Sequence, residues 1–267
     1  MSNLERVMED PIYPERVLES DTTRTFANRV SVRSYTDELV TDEQVDAVLQ
    51  AAFRAPTSSN IQSYSVIVVR DQEALDQLAV VTSGQKHVAN APVFLAFCAD
   101  LTRIDKAMRD RGGNMETNNL ETGLVSSIDA ALVGMSAYIA ADSLGMKGVM
   151  IGAVRNNAAE TAKILGLPKR VYCVFGMVLG WPDSIPKQKP RMEQDAVVHY
   201  EQYGKTIAGE KLDPKVDAYD KALAAHYRSV GMTTTDDSWS HDVAKKFMPE
   251  PRENLRAELK SLGFDFR

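Results

Sequence analysis

Alternating helical and strand-like stretches predict an α/β class, and three observations carry that expectation. Three β-branched, apolar runs, at Ser65–Arg70, Val93–Ala99 and Val171–Leu179, read as strands. Stretches with helical spacing or capping residues separate them. The composition, 44% hydrophobic and 25% charged, is that of a globular chain, and 267 residues suffice for one sizeable core or two small domains. Taken from this pattern alone, the strands form a parallel sheet.

Residues 1–13 are polar and unpatterned, and charged residues from Glu5 onward are unlike a signal peptide. A helix is expected from near Pro14 to about Asn28, with Val17, Leu18 and Phe26 as its apolar positions. Thr41-Asp42-Glu43-Gln44 reads as a capping box, a hydroxyl at the cap and an amide three residues on. Behind it Val45, Val48, Leu49, Ala52 and Phe53 fall at helical spacing. Pro56 biases Ala55 away from the α region and ends that helix. The polar run Thr57-Ser58-Ser59-Asn60-Ile61-Gln62 follows, then the first strand, then Asp71 as the cap of a short helix through Leu75, Leu78 and Ala79. Ser83–His87 reads as a polar loop around Gly84. Pro92 precedes the second strand, and residues 102–116 read as a charged loop bearing Gly112-Gly113.

The helix expected from Asn118 to Leu144 is apolar almost all round, as a central buried helix must be, with Gly145 as its terminating residue. Ser126, Ser127, Asp129, Ser136 and Asp142 load it too heavily for a membrane span. In the apolar segment Gly148–Arg155, Gly152 permits close approach of another group. Asn157 caps a helix ending near Gly166. After the third strand come the proline-broken basic loop Lys187–Arg191, a helix from Asp213-Pro214 to about Arg228, the polar stretch Thr233–Asp237, and a last helix over Arg252–Leu262. There is no repeat, low-complexity segment or linker. A single domain over 1–267 is expected, with 205–267 as a C-terminal arm.

A formal net charge of −6 argues against a nucleic-acid backbone binder, which needs a basic face. Cys98 and Cys173 each sit in an apolar run and read as buried free thiols of a reducing compartment, with the cytoplasm as the expected location. No glycine-rich dinucleotide fingerprint, phosphate loop or nucleophile elbow is present. The four histidines lack metal-ligand spacing, and His87 reads as a surface residue. No metal site and no catalytic side chain are expected.

The polar run Thr57–Gln62 admits two readings. It is a solvated helix-to-strand turn, or it is the wall of a pocket whose hydroxyls, amides and free N–H groups take a planar heterocycle or a phosphate. Its companions are Arg29, Ser31 and Arg33 upstream, and Gln85, Gly152 and Lys189-Pro190-Arg191 downstream. Taken in order, these pieces run Arg-x-Ser-Val-Arg, Ala-Pro-Thr-Ser-Ser-Asn-x-Gln, Ser-Gly-Gln-Lys-His-Val, Ile-Gly-x-x-Arg-Asn, Phe-Gly-x-x-x-Gly-Trp-Pro and Lys-Pro-Arg. That combination, from about Phe26 to Trp239, resembles the nitroreductase superfamily, in its oxygen-insensitive NAD(P)H nitroreductase and flavin reductase branch.

The resemblance implies an α+β fold in place of the parallel sheet: a largely antiparallel central sheet flanked by helices, in an intertwined homodimer with a protruding C-terminal arm and FMN at the subunit interface. It implies that Arg29, Ser31 and Arg33, with Lys189 and Arg191, clamp the FMN phosphate and ribityl chain. Thr57, Ser58, Ser59, Asn60 and Gln62 would contact ribityl and ring, partly from the second subunit. Gln85 would meet the ring edge, and Met150, Ile151, Gly152 and Ala153 would present backbone N–H groups to the ring. Val30 and Ala153 depart from the branch, which commonly has a second basic residue and a second glycine there. The implied activity is two-electron, ping-pong reduction of nitroaromatics, quinones or free flavin, with NADH or NADPH as co-substrate, a small-molecule electron acceptor, and neither nucleic acid nor membrane as partner. The alternatives are a flavin reductase feeding a monooxygenase, a reductive dehalogenase-like enzyme, and an FMN-binding protein without turnover. The branch often carries arginines for NADPH after its Tyr-bearing helix. Here Val230–Asp237 has no basic residue and two acids, so weaker NADPH preference, or NADH preference, is expected.

Overall fold

A computed structural model describes residues 20–115, 120–205 and 215–266. The helix starts expected at Pro14, Asn118 and Asp213-Pro214 lie outside the described residues. Two compact units emerge, one of Lys187–Pro251 with the residues up to Val30, the other of Ser31–Pro186 with Arg252–Arg267.

The larger unit holds the sheet. Strands β1 (Tyr64–Val69), β2 (Val93–Asp100), β3 (Lys147–Ile151) and β4 (Val171–Gly180) lie in the order β1-β2-β4-β3, each neighbouring pair antiparallel. The parallel sheet expected from pattern is therefore wrong, and the antiparallel sheet flanked by helices is correct. The reason is visible in β2. Val93, Leu95 and Phe97 enter one core cluster, while Phe94, Ala96 and Cys98 enter another on the opposite face. A strand covered on both faces is apolar throughout, whichever way its neighbours run. Cys98 and Cys173 face each other across β2 and β4 as buried free thiols, as expected.

One face of the sheet is covered by α2 (Asp42–Ala52) and by the long α6 (Leu120–Ser143). Helix α2 starts at the expected box: Gln44 N donates to Thr41 Oγ1 at 3.3 Å, and Thr41 N donates to Gln44 Oε1 at 2.9 Å. The other face is covered by α3 (Gln72–Val81), started by the Asp71 carboxylate accepting Ala74 N at 2.9 Å. A short α4 (Lys86–Ala89) begins inside the stretch expected as a loop and runs past its end. A third cluster joins α7 (Ala158–Ile164), capped by Asn157, to Leu259, Leu262 and Phe264 near the C-terminus, with α11 (Leu255–Ser261) supplying Leu259.

Two expectations need correction. Residues 102–116 are not all loop, because α5 (Thr102–Arg109) forms there. The Asp100 carboxylate accepts Thr102 N at 2.8 Å, and the helix carries ion pairs from Lys106 to Asp110 and Arg109 to Asp105. Its apolar positions, Ile104, Ala107 and Met108, do fall at helical spacing, but they are few among charged neighbours and easily passed over in sequence. The second concerns α6, which is not buried all round. Ser126, Asp129, Ala130, Val133 and Ala137 face the core, while Leu120, Leu124, Ile128 and Leu132, spaced by four, stay 38–56% exposed.

In the smaller unit, α1 (Asp21–Ala27) is capped by Ser20, α8 (Gln194–Val197) is a single turn, and α9 (Val216–Ser229) packs with α10 (Ser238–Phe247). The Asp220 carboxylate accepts Ser240 N at 2.8 Å and its hydroxyl at 2.6 Å, fixing the start of α10. The sequence reading left α10 without an assignment.

Candidate functional site

The polar run after α2 is held in an unusual shape. Ser58–Asn60 makes one tight helical turn, and Ser59, Asn60 and Gln62 have φ of 47°, 56° and 55°. Left-handed residues other than glycine cost about 1–2 kcal/mol each, so the shape needs support from outside the loop. Asp129 of α6 supplies it. This fully buried carboxylate accepts Ser58 N at 3.0 Å on one oxygen, and Ser63 N at 3.1 Å and Ser63 Oγ at 2.8 Å on the other. Arg103 of α5 grips the far end, donating to Gln62 O at 2.9 Å, to Ser65 Oγ at 3.1 Å and to Tyr64 O. Asp100 completes the grip by accepting Arg103 Nη1 at 3.1 Å and Ser65 Oγ at 2.5 Å. Burial pushes the Asp100 carboxyl up, but the Ser65 and Thr102 hydrogen bonds and the Arg103 charge outweigh it and hold it below the usual range. Thr57, Ser58 and Ser59 keep hydroxyls with no hydrogen bond among the described residues. The loop is thus pinned with these three hydroxyls unspent, while the Gln62 amide donates to Asn60 Oδ1 at 3.2 Å.

Around β3 the same unit gathers a second group. Val32 N donates to Gly148 O at 3.1 Å, which lays Ser31–Arg33 beside that strand. Gln85 caps α4 through its carbonyl, leaving its amide without a hydrogen bond among the described residues. His87 is half-buried, not a surface residue. Burial, and behind it the nearby Arg33 guanidinium, lower its pKa, and its Nε2 is buried without a hydrogen-bond partner among the described residues. Met150 and Ile151 end β3, and Gly152 and Ala153 begin the turn of helix Gly152–Asn157 beyond the last ladder rung. A Cβ built on Gly152 meets nothing nearer than Arg155 Nη2 at 3.6 Å, so packing within the chain does not demand a glycine there.

In the smaller unit, Gln188 Nε2 donates to Ala27 O at 2.7 Å and Arg29 O at 3.1 Å, setting the basic loop beside Arg29. Lys189 Nζ donates to Tyr227 Oη at 3.0 Å and lies 4.7 Å from that ring's centre. Arg191 donates to the loop's own carbonyls, and the buried Pro190 accepts Tyr219 Oη at 3.3 Å. Neither Lys189 nor Arg191 has a carboxylate partner among the described residues. In the last turn of α9, Arg228 Nη2 is bound to Asp236 Oδ1 at 2.5 Å.

Sequence reasoning missed Asp129 and Arg103 as parts of this arrangement. Asp129 did leave a signal, a carboxylate in an otherwise apolar helix face, where a buried charge requires nearby donors. Arg103 left none, since a charged residue in a charged stretch is unremarkable in sequence.

Comparison with known proteins follows the same geography. Residues 26–181 match the nitroreductase family, and residues 189–267 match its C-terminal domain. The chain is 37% identical, over 93% of its length and all of the relative's, to an oxygen-insensitive NADPH nitroreductase of Salmonella typhimurium. It is 36% identical to an FMN reductase [NAD(P)H] of Bacillus subtilis, over 92% of this chain and 98% of that one. Among solved structures, NfrA2 of B. megaterium superposes with a TM-score of 0.87 at 33% identity, covering 93% of this chain and all of that one. An NADPH:FMN oxidoreductase from Vibrio harveyi complexed with NAD+ superposes with a TM-score of 0.82 at 32% identity, over 93% of this chain and all of the other. With matching family segments, relatives covered along almost their whole length and the antiparallel sheet in agreement, this chain belongs to the nitroreductase family.

Proposed function

We propose that the chain is an FMN-dependent oxidoreductase that takes hydride from NADH or NADPH and reduces nitroaromatics, quinones or free flavin by two-electron, ping-pong turnover. The observation that carries this reading is the store of donors unspent among the described residues: free hydroxyls on a pinned loop, and two cations without carboxylate partners there. Such groups suit a phosphorylated, polyhydroxylated, planar cofactor. Bound FMN supplies the hydride chemistry, and the chain supplies orientation and electrostatics. Lys189 and Arg191, with Arg29, Ser31 and Arg33, would hold the phosphate and ribityl chain. Thr57, Ser58, Ser59, Asn60 and Gln62 would hold ribityl and ring, Gln85 the ring edge, and Met150–Ala153 the ring face, where the uncrowded Gly152 leaves room for a ligand. The free Cys98 and Cys173 fit work in the cytoplasm. Adding FMN to the apoprotein should give a bound-flavin spectrum that NADH bleaches and menadione restores. Failure to bind FMN sinks the reading, and binding without bleaching leaves a flavin-binding protein.

The same reading assigns a partner to the exposed stripe Leu120, Leu124, Ile128 and Leu132. Four large apolar side chains in a row on one helix face mark an interaction surface, and a second copy of the chain is the proposed occupant. The wild type should have twice the 29.5 kDa chain mass by light scattering, and Leu124→Asp/Leu132→Asp should fall to the single mass and lose FMN. A wild type that is already monomeric overturns the assignment.

Coenzyme preference follows from the arm. Arg228 is neutralised by Asp236, and the loop after it offers a 2′-phosphate no other cation. The expected kcat/KM for NADH equals or exceeds that for NADPH, and Asp236→Ala, which frees Arg228, shifts the ratio toward NADPH. A large NADPH advantage in the wild type refutes this.

A further inference from the structure

We infer that Asp129 is a positioning residue for the cofactor loop: an internal anion, inside the protein, around which Ser58–Ser63 is wrapped so that its other donors point outward. The inference rests on the flavin reading above for what the loop holds, and on geometry alone for how the loop is held.

The arrangement is specific. Both Asp129 oxygens are engaged, one by Ser58 N at 3.0 Å and one by Ser63 N at 3.1 Å and Ser63 Oγ at 2.8 Å. The two amides bracket the three left-handed residues, so the carboxylate ties together the two ends of the strained segment. No ion pair neutralises Asp129 among the described residues, and the side chain is fully buried. Its charge is therefore met by loop donors, and a carboxylate bound by backbone N–H groups is a strong acceptor. A neutral residue of the same shape cannot do this. An amide offers one acceptor oxygen, and its NH2 group would be set against an N–H already pointing at it. Arg103 acts from the other side, fixing Gln62 O and Tyr64 O. Between these grips, Ser59 and Gln62 are left with backbone N–H groups that make no hydrogen bond among the described residues. The loop's outward face is built for something outside the chain because its inward face is saturated by Asp129.

Asp129→Asn is the decisive variant, since it keeps the volume and removes the charge. FMN affinity, read by quenching of FMN fluorescence, should fall at least ~10-fold. Amide hydrogen exchange at Ser58 and Ser63 should accelerate in the protein without FMN. At saturating FMN, kcat should stay near the wild-type value, because Asp129 touches no reacting atom. Val133→Ala, one turn along α6 and in the core, controls for stability: it should lower the melting temperature and leave FMN affinity and loop exchange unchanged. Asp129→Asn binding FMN as tightly as wild type, or losing no more affinity than Val133→Ala, overturns the proposal. A wild type that does not bind FMN defeats the flavin reading instead, and the exchange rates at Ser58 and Ser63 still decide the role of Asp129.

Discussion

Replacing Lys189 and Arg191 together by alanine is expected to weaken FMN binding by roughly 10²–10⁴-fold while leaving riboflavin binding close to wild type. Each charge-assisted bond to a phosphate contributes about 1.5–3 kcal/mol, and two are lost. The protein should survive the change. Both side chains are exposed, neither is in an ion pair among the described residues, and the loop is held by groups that remain: the buried Pro190, Tyr219 on its carbonyl, and Gln188 on Ala27 and Arg29. Lys189 gives up its contact with Tyr227, a partly exposed interaction of modest strength. Parallel titrations with FMN and riboflavin isolate the phosphate. Equal weakening of both ligands would remove these two residues from the phosphate and place their effect elsewhere.

Gly176→Ala should be strongly damaging for the addition of a single methyl group. A Cβ there lies 2.0 Å from Phe94 Cζ and under 3 Å from two further ring atoms. Phe94 is fully buried near the start of the inner strand β2, in one core cluster with Leu75, Leu78 and Val178, so its ring has nowhere to turn. Overpacking of this kind costs about 3 kcal/mol, a drop of roughly 6–12 °C in melting temperature for a chain of this size. Gly166→Ala is the contrast. At φ +64° it meets nothing within 4 Å, so backbone strain of about 1 kcal/mol is its whole cost. Adding Phe94→Leu to Gly176→Ala should recover part of the loss, as a non-additive pair in contact does. Thermal unfolding of the wild type, Gly176→Ala, Phe94→Leu, their double variant and Gly166→Ala checks the account, and additivity of the pair would show that the clash is not the cause.

How much of this was legible depends on how far apart the cooperating residues stand. Helix starts were readable because cap and capped residue are three apart: Thr41 with Gln44, Asp71 with Ala74, Asn157 with Glu160. Gly145, at φ +93°, ends α6 as expected for the same local reason. The pieces of the site were readable as residue types, since four small polar side chains abruptly placed between helix and strand are of no use to a core. Strand direction was not. Apolar runs record burial on two faces, and β2 is covered on both whether its neighbours run parallel or antiparallel.

The loop after Pro56 shows the division most clearly. Its composition alone determined that it carries small hydroxyls and amides of no use to a core, and the helix and strand on either side determined where it begins and ends. Its shape was decided by one distant residue, when α6 packed against the sheet and brought the Asp129 carboxylate under Ser58, 71 positions away, and Ser63, 66 positions away. No local preference selects three left-handed residues in Ser59-Asn60-Ile61-Gln62, because each is unfavourable by itself. The long-range hydrogen bonds offset that cost, and they exist only once the chain is folded.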